Sequence, residues 1–258
     1  MHELAVISNN ISNANSNGFK KSLTSFSDFA GGLMPDAVKS STSGFGAHVD
    51  QTRISDGQGA VVSTENVTDM ALIGNGFFAL QSASDNSVSY TRNGTFSVDE
   101  NGFLTTSDNY FVLGSPLVDN QFAALAGGLG TLQPIQIPVT NEGKVMSELE
   151  ISQDGKISAR YGQQDLIPIA SLTIGIFSNP IGLKEQGFAR FSETEESGLL
   201  TIGAPMDPGF AELKIGGLEK SNVDLTDELT AMIKAQQQFN GSARLMQANS
   251  DMVEKFTQ

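Results

Sequence analysis

Cysteine and tryptophan are both absent from the 258 residues. Without cysteine the chain has no disulfide, no thiolate metal ligand and no cysteine nucleophile. Missing tryptophan beside 27 glycines fits many tight turns better than a large aromatic core. Histidine occurs only at His2 and His48, and no Gly-x-Ser-x-Gly elbow is present, so a serine triad would have to recruit one of those two. Basic residues are scarce: 15 Lys and Arg stand against 29 Asp and Glu, a formal charge of −14. Phosphate binding needs clustered cations, so nucleic acid and anionic membrane are excluded as expected partners. The acidic residues are dispersed singly and read as a soluble surface. Long apolar runs are missing too. The opening MHELAVISNN lacks a basic stretch followed by an apolar one, and nothing later approaches the roughly 20 apolar residues of a membrane helix. Membrane insertion is therefore not expected, and any route out of the cytosol is expected to be independent of a signal peptide.

What is present divides the chain into helical ends and a β middle. Leu4, Ile7, Ile11 and Ala14 fall at 3-4-3 spacing, one stripe of a short helix. The following Asn13, Asn15, Ser16, Asn17 and Gly18 favour turns, so this helix should end there. At the other end Leu225, Met232, Phe239, Met246 and Val253 recur every seven residues, with Leu229, Gln236, Ala243 and Ser250 at the complementary heptad positions. One half of that seam is apolar and the other small or polar, a pattern that needs partners to be stable. Asp224 is the expected N-cap, with Asp227 and Glu228 in the first turn where the helix dipole favours anions. Gly241 interrupts the helix at a cost of about 1 kcal/mol relative to Ala; close packing by a neighbour would account for it. Between the ends, short runs at 70–73, 76–81, 95–98, 135–139, 149–151 and 172–177 alternate with turn signals at Asn75-Gly76, Asn93-Gly94, Asn101-Gly102, Glu142-Gly143 and Asp154-Gly155. They predict an antiparallel sheet or barrel-like body. Residues 31–46 read as a Gly/Ser-rich connection and 123–130 as an exposed loop.

Several sharper motifs dissolve on inspection. Gly74, Gly76 and Ala79 have the spacing of a dinucleotide-binding turn, but the FFALQSASDNS that follows has no helical period, so a hairpin is expected. Asp99, Glu100 and Asn101, or Asp154, could be offered as calcium ligands; neither segment has the alternating ligands and distal Glu of an EF-hand loop, and turn chemistry explains both. No residue pair is selected for carboxylate hydrolysis. We expect no catalytic set, no cofactor and no metal.

Residues 7–29 (ISNNISNANSNGFKKSLTSFSDF) resemble the segment that opens flagellar rod and hook proteins, with Asn9, Asn10 and Asn13 in the helix end and Gly18-Phe19-Lys20 after it. Residues 218–239 (LEKSNVDLTDELTAMIKAQQQF) resemble the closing motif of the same family, including Ser221, Asn222 and Val223. IGNGFFAL at 73–80, YTRNGTFSVDENGFL at 90–104 and ISQDGKI at 151–157 are similar to its β domain. The likeness is weakest over 115–134 and 182–208.

That resemblance implies a mainly β protein: an elongated antiparallel β body with α-helical N- and C-terminal segments that form a coiled-coil-like inner domain. The implied division is 1–29 for the N-terminal helical segment, 30–217 for the β-rich outer body and 218–258 for the heptad helix. It further implies further helical residues ahead of Leu4, export across the inner membrane through the flagellar type III apparatus, and polymerisation with copies of itself and with other rod and hook proteins into a helical axle that transmits torque. The expected location is the periplasm-spanning rod of the basal body. Assembly is then expected to rest on Leu4, Ile7, Ile11, Leu225, Leu229, Met232, Phe239, Met246 and Val253. A short hook-type subunit is the alternative inside the family, favoured by the run SFSDF at 25–29 and opposed by the lack of room for a large insert. A secreted β-rich adhesin or carbohydrate-binding module is the alternative outside it; terminal heptads do not fit that idea.

Overall fold

The computed structural model describes residues 2–28, 47–118, 121–122, 130–141 and 143–257. The expected 31–46 connection, most of the 123–130 loop and Glu142 lie outside them. The chain forms two compact units: Met1–Ala14, Lys21–Arg53 and Val223–Gln258 make the first, Asn15–Lys20 and Ile54–Asn222 the second. It is mainly β with a helix near each end.

In the first unit, helix α1 spans His2–Ser12 and helix α2 spans Leu225–Thr257. The polar run ends α1 as expected: Ser12 Oγ donates to Ser8 O (2.9 Å) and Asn13 Nδ2 to Asn9 O (3.0 Å), local side-chain to backbone bonds of the kind that compete with helix continuation. Asp224 caps α2, its Oδ1 accepting from the Thr226 (2.8 Å) and Asp227 (3.3 Å) amides. Those bonds hold the Asp224 carboxyl below its ordinary range. α2 runs through Gly241 without a break. Strands Ser22–Asp28 and Ala47–Ile54 pair with each other, and α1 packs on both α2 and the first of these strands.

The second unit is built on one long antiparallel sheet. Its central path runs Thr140–Asn141, Lys144–Ile151, Lys156–Tyr161, Ile167–Leu172, Tyr110–Val118, Phe77–Ser82, Val88–Thr91, Arg190–Ser192, Lys184–Gly187. Because side chains alternate along a strand, the central strands feed two cores. Phe78 and Leu80 join Val112, Leu104, Ile157 and Leu172 in one, whereas Phe77 and Ala79 join Tyr90, Leu113, Phe177 and Phe191 in the other. Edge-to-face rings tie the second core together, with Tyr90 and Phe177 centroids 4.7 Å apart.

Several segments depart from expectation. The strand Met70–Ile73 forms, but it pairs with Glu212–Ile215, while Phe77–Ser82 pairs elsewhere; the glycine turn between them is a crossover and not a hairpin. Gly76 is needed there because a Cβ would lie 2.2 Å from Ile174 Cγ2. Residues 135–139 make scattered bonds to three neighbours and no continuous ladder: the Ile135 amide donates to Val112 O, the Leu104 amide to Ile135 O, the Ile137 amide to Gly102 O and the Met146 amide to Val139 O. The 172–177 run splits into Ile167–Leu172 and Ile174–Phe177. Asp154-Gly155 does form the hairpin expected of it, joining Lys144–Ile151 to Lys156–Tyr161.

Candidate assembly interface

An 11-residue helix reaches about 16 Å and a 33-residue helix about 50 Å, so α1 can cover only part of α2. Ile7 and Asn10 are the buried residues of α1, with Leu4 and Ile11 half-buried. On α2, burial falls on Glu228 and Ala235, with Ala231 and Met232 half-buried. This stripe lies beside the heptad seam; Met232 belongs to both, and Ala243 of the seam is half-buried as well. The remaining seam residues are open: Leu225, Leu229, Phe239, Met246 and Val253 range from 42% exposed at Leu225 to 72% at Met246. Ile233, Leu245 and Met252 are exposed as well.

The buried Asn10 does more than end a helix. Its Nδ2 donates to Ser22 O and its Oδ1 accepts from the Ser22 amide, both at 2.9 Å. The same Nδ2 lies 3.1 Å from Glu228 Oε2, and Lys21 Nζ reaches Glu228 Oε1 at 2.6 Å. One carboxamide therefore joins α1, the first strand and α2. Asn9 and Asn13 bond to each other (2.9 Å) on the exposed side.

Apart from Val223, which belongs to the first unit, the rest of the motif residues converge within the second unit. Gly18 donates its amide to Glu219 O (2.8 Å), and Lys220 Nζ donates to Asn17 Oδ1 (3.0 Å), so the segments at 17–20 and 217–222 run against each other. Gly18 has φ +68°, and a Cβ there would lie 2.2 Å from the Asn93 amide nitrogen; only glycine fits. Phe19 is buried, and the Asn222 side chain donates to Gly57 O (2.8 Å). Ser221 and Val223 are half-buried.

Beneath this pairing lies a charge cluster that sequence reasoning missed apart from Lys20. Glu219 Oε1 accepts from Lys20 Nζ (2.6 Å) and the Gly59 amide (2.9 Å), and its Oε2 is 3.3 Å from Arg92 Nη1. Lys20 also donates to Gly57 O and Arg92 to Gly74 O. All three side chains are almost fully buried. Burial pushes the Lys20 ammonium below its ordinary value, an effect that Glu219 opposes and Arg92 reinforces. The available signal was charge complementarity between Lys20 and Glu219 in the two terminal motifs.

The other residues weighed earlier have ordinary roles. Asp99 Oδ1 accepts from the Asn101 and Phe103 amides, and Asp154 pairs with Lys156 at 2.7 Å; both carboxylates organise turns. His2 opens α1 and His48 lies in the Ala47–Ile54 strand. Among the described residues no His, Asp and Glu group has metal-site geometry, and no helix is long and apolar enough to cross a membrane.

Three family models match: the flagella basal body rod protein model over residues 2–20, the flagellar hook protein FlgE/F/G D1 domain over 71–159, and the flagellar basal body rod FlgEFG protein C-terminal model over 215–258. The chain is 30% identical to the flagellar basal-body rod protein FlgG of Agrobacterium fabrum, covering 96% of this chain and 90% of that one. It is 32% identical to FlgG of Bacillus subtilis, covering 98% and 91%. The chain belongs to the flagellar basal-body rod protein family. A likeness to the flagellar hook protein FlgE of Caulobacter vibrioides, 31% identical, spans 54% of this rod protein and 24% of the hook protein. The rod protein is thus a structural subunit of the flagellar rod in the basal body, and the hook-type and adhesin alternatives are not favoured. Each terminal match contains its own half of the residue pairing between 17–20 and 217–222.

Proposed function

We propose that this rod protein self-assembles, with copies of itself and neighbouring rod and hook proteins, into a helical axle that transmits torque. The observation that carries the reading is the open seam on α2, where Leu225, Leu229, Phe239, Met246 and Val253 present apolar side chains that α1 leaves uncovered. A seam of this kind buries its apolar face only when other helices arrive. The terminal helices then form a coiled-coil-like inner layer, with 1–29 and 218–258 as its segments and 30–217 as the outer β body. Leu4, Ile7 and Ile11 have a different part, holding α1 against α2 within the subunit. Identical contacts repeated with an axial rise give an open helix and not a closed ring. Export through the flagellar type III apparatus belongs to the same proposal, as does the absence of enzymatic activity.

The test is an in-frame deletion in the source bacterium, electron microscopy of purified hook–basal bodies, and complementation with M232D and F239D. A rod lost beyond the inner-membrane ring and restored by neither variant is the expected result. A normal rod without a hook would move the protein to the hook, and intact flagella would refute an axial role.

A further inference from the structure

The hairpin formed by Lys184–Gly187 and Arg190–Ser192 carries an outlier. Gly187 pairs with Arg190, so Phe188 and Ala189 are the two loop residues, and both have φ +54°. A two-residue turn with positive φ at both positions is the type I′ geometry, for which Asn-Gly is the favoured sequence. Here the first position is instead a phenylalanine that is 75% exposed. Left-handed backbone at a bulky residue is an unfavourable state that a fold must hold in place, and this hairpin is held firmly. Thr91 Oγ1 donates to Ala189 O at 2.7 Å. Arg190 lies 3.9 Å over the Tyr110 ring, pairs with Asp108 at 3.0 Å, and has its guanidinium 5.7 Å from the Phe188 ring. The aromatic ring is thus presented on a preorganised base, which lowers the entropy lost on docking.

The same unit contains a cleft of about 190 Å³ lined by Pro116, Pro134, Ile135 and Ile169, with Gln133 and Gln136 also in its wall. A cavity of about 150 Å³ accepts benzene, so this cleft has room for a phenyl ring. It opens beside the Tyr110–Val118 and Ile167–Leu172 strands, whereas the Arg190–Ser192 strand is three places away from the first of these in the sheet. Knob and cleft are therefore different surfaces, and joining them links two copies heterologously.

We propose that Phe188 of one copy seats in the Pro116–Pro134–Ile169 cleft of the next copy along the rod, a contact that rests on the rod-subunit reading above. One aromatic side chain buries about 150–250 Å², far short of the roughly 1,200–2,000 Å² of a stable binary interface. The contact cannot hold a soluble dimer; it contributes only where many contacts are repeated in a polymer. A heterologous knob and cleft with an axial offset propagates without closing.

The native chain has no cysteine, so an F188C/I169C variant reports this pairing without background. Expressed in the deletion strain and oxidised in purified basal bodies, it should give a ladder of cross-linked multimers on a non-reducing gel. The F188N variant, with a residue suited to the turn, should melt no lower than the native protein yet reduce swarming at least tenfold. An incorporated F188C/I169C subunit without a ladder, or native swarming by F188N, overturns the contact and leaves the rod reading intact. Absence of the native chain from wild-type basal bodies overturns the rod reading and the contact with it.

Discussion

Glu219 holds two cations on one buried carboxylate, and such a cluster is asymmetric to mutation. Replacing Glu219 by Gln leaves Lys20 and Arg92 charged, buried and without their counter-ion, a loss that typically costs about 3–5 kcal/mol. K20M is expected to cost less, because Arg92 then still faces Glu219. Urea unfolding of the two variants should show E219Q with the larger drop in midpoint. Tyr90 gives the pH counterpart. Its hydroxyl is buried and finds no hydrogen-bond partner among the described residues, and burial, with help from Glu193, raises the phenol above its ordinary value. The folded state thus keeps a proton that the unfolded state releases near its ordinary value of about 10, so stability is lost as pH rises above that value. Y90F should unfold no more easily than the native protein at pH 7, since it removes an unsatisfied group. In melts taken above pH 10 it should lose less stability than the native protein does; parallel alkaline slopes would contradict the assignment.

At the scale of the element, Gly241 separates what a helix needs from what an assembly needs. It lies within α2, and a Cβ there would meet nothing within 4 Å inside the subunit. G241A should therefore stabilise the isolated helix by about 1 kcal/mol, seen as slower amide exchange around position 241. If a neighbouring subunit packs against Gly241, swarming should nonetheless fall; unchanged swarming would leave the glycine without an assembly role. The helices were legible because their signals are local: a 3-4-3 stripe, a capping aspartate, a heptad. Residues 135–139 misled because Ile135 and Ile137 alternate with polar Gln136, as a strand would, while Pro134 and Pro138 cannot donate to a ladder. Local pairing across Asp154-Gly155 was legible from its turn, but pairing between distant segments was not, since the partner of Met70–Ile73 comes from Glu212–Ile215. The same holds for the Lys20–Glu219 pair, 199 residues apart. Asn10 was seen as part of a motif, but its bonds to Ser22 and Glu228 depend on where the strand and α2 pack.

For the molecule as a whole, the heptad and the packing of α1 make separable demands on α2. If the seam served the subunit's own fold, its side chains would be covered in the subunit; instead Phe239 is 48% exposed while Ala235, one turn earlier, is buried. Folding and assembly should then respond differently to the same chemistry. F239D places a charge on a surface that is already wet, so the purified subunit should melt within a degree or two of the native protein and keep its circular dichroism. In the proposed polymer the same carboxylate would have to enter an apolar helix contact with no partner, an unfavourable burial that the gain from neighbouring side chains does not offset. Ala235 supplies the control: A235D strikes the stripe that α1 covers and should lower the melting temperature of the subunit. Expressed in the deletion strain, F239D should give a stable subunit and no swarming, and A235D an unstable one. If F239D instead melts early, α2 is held within the subunit by its seam, and the open face on which assembly depends does not exist.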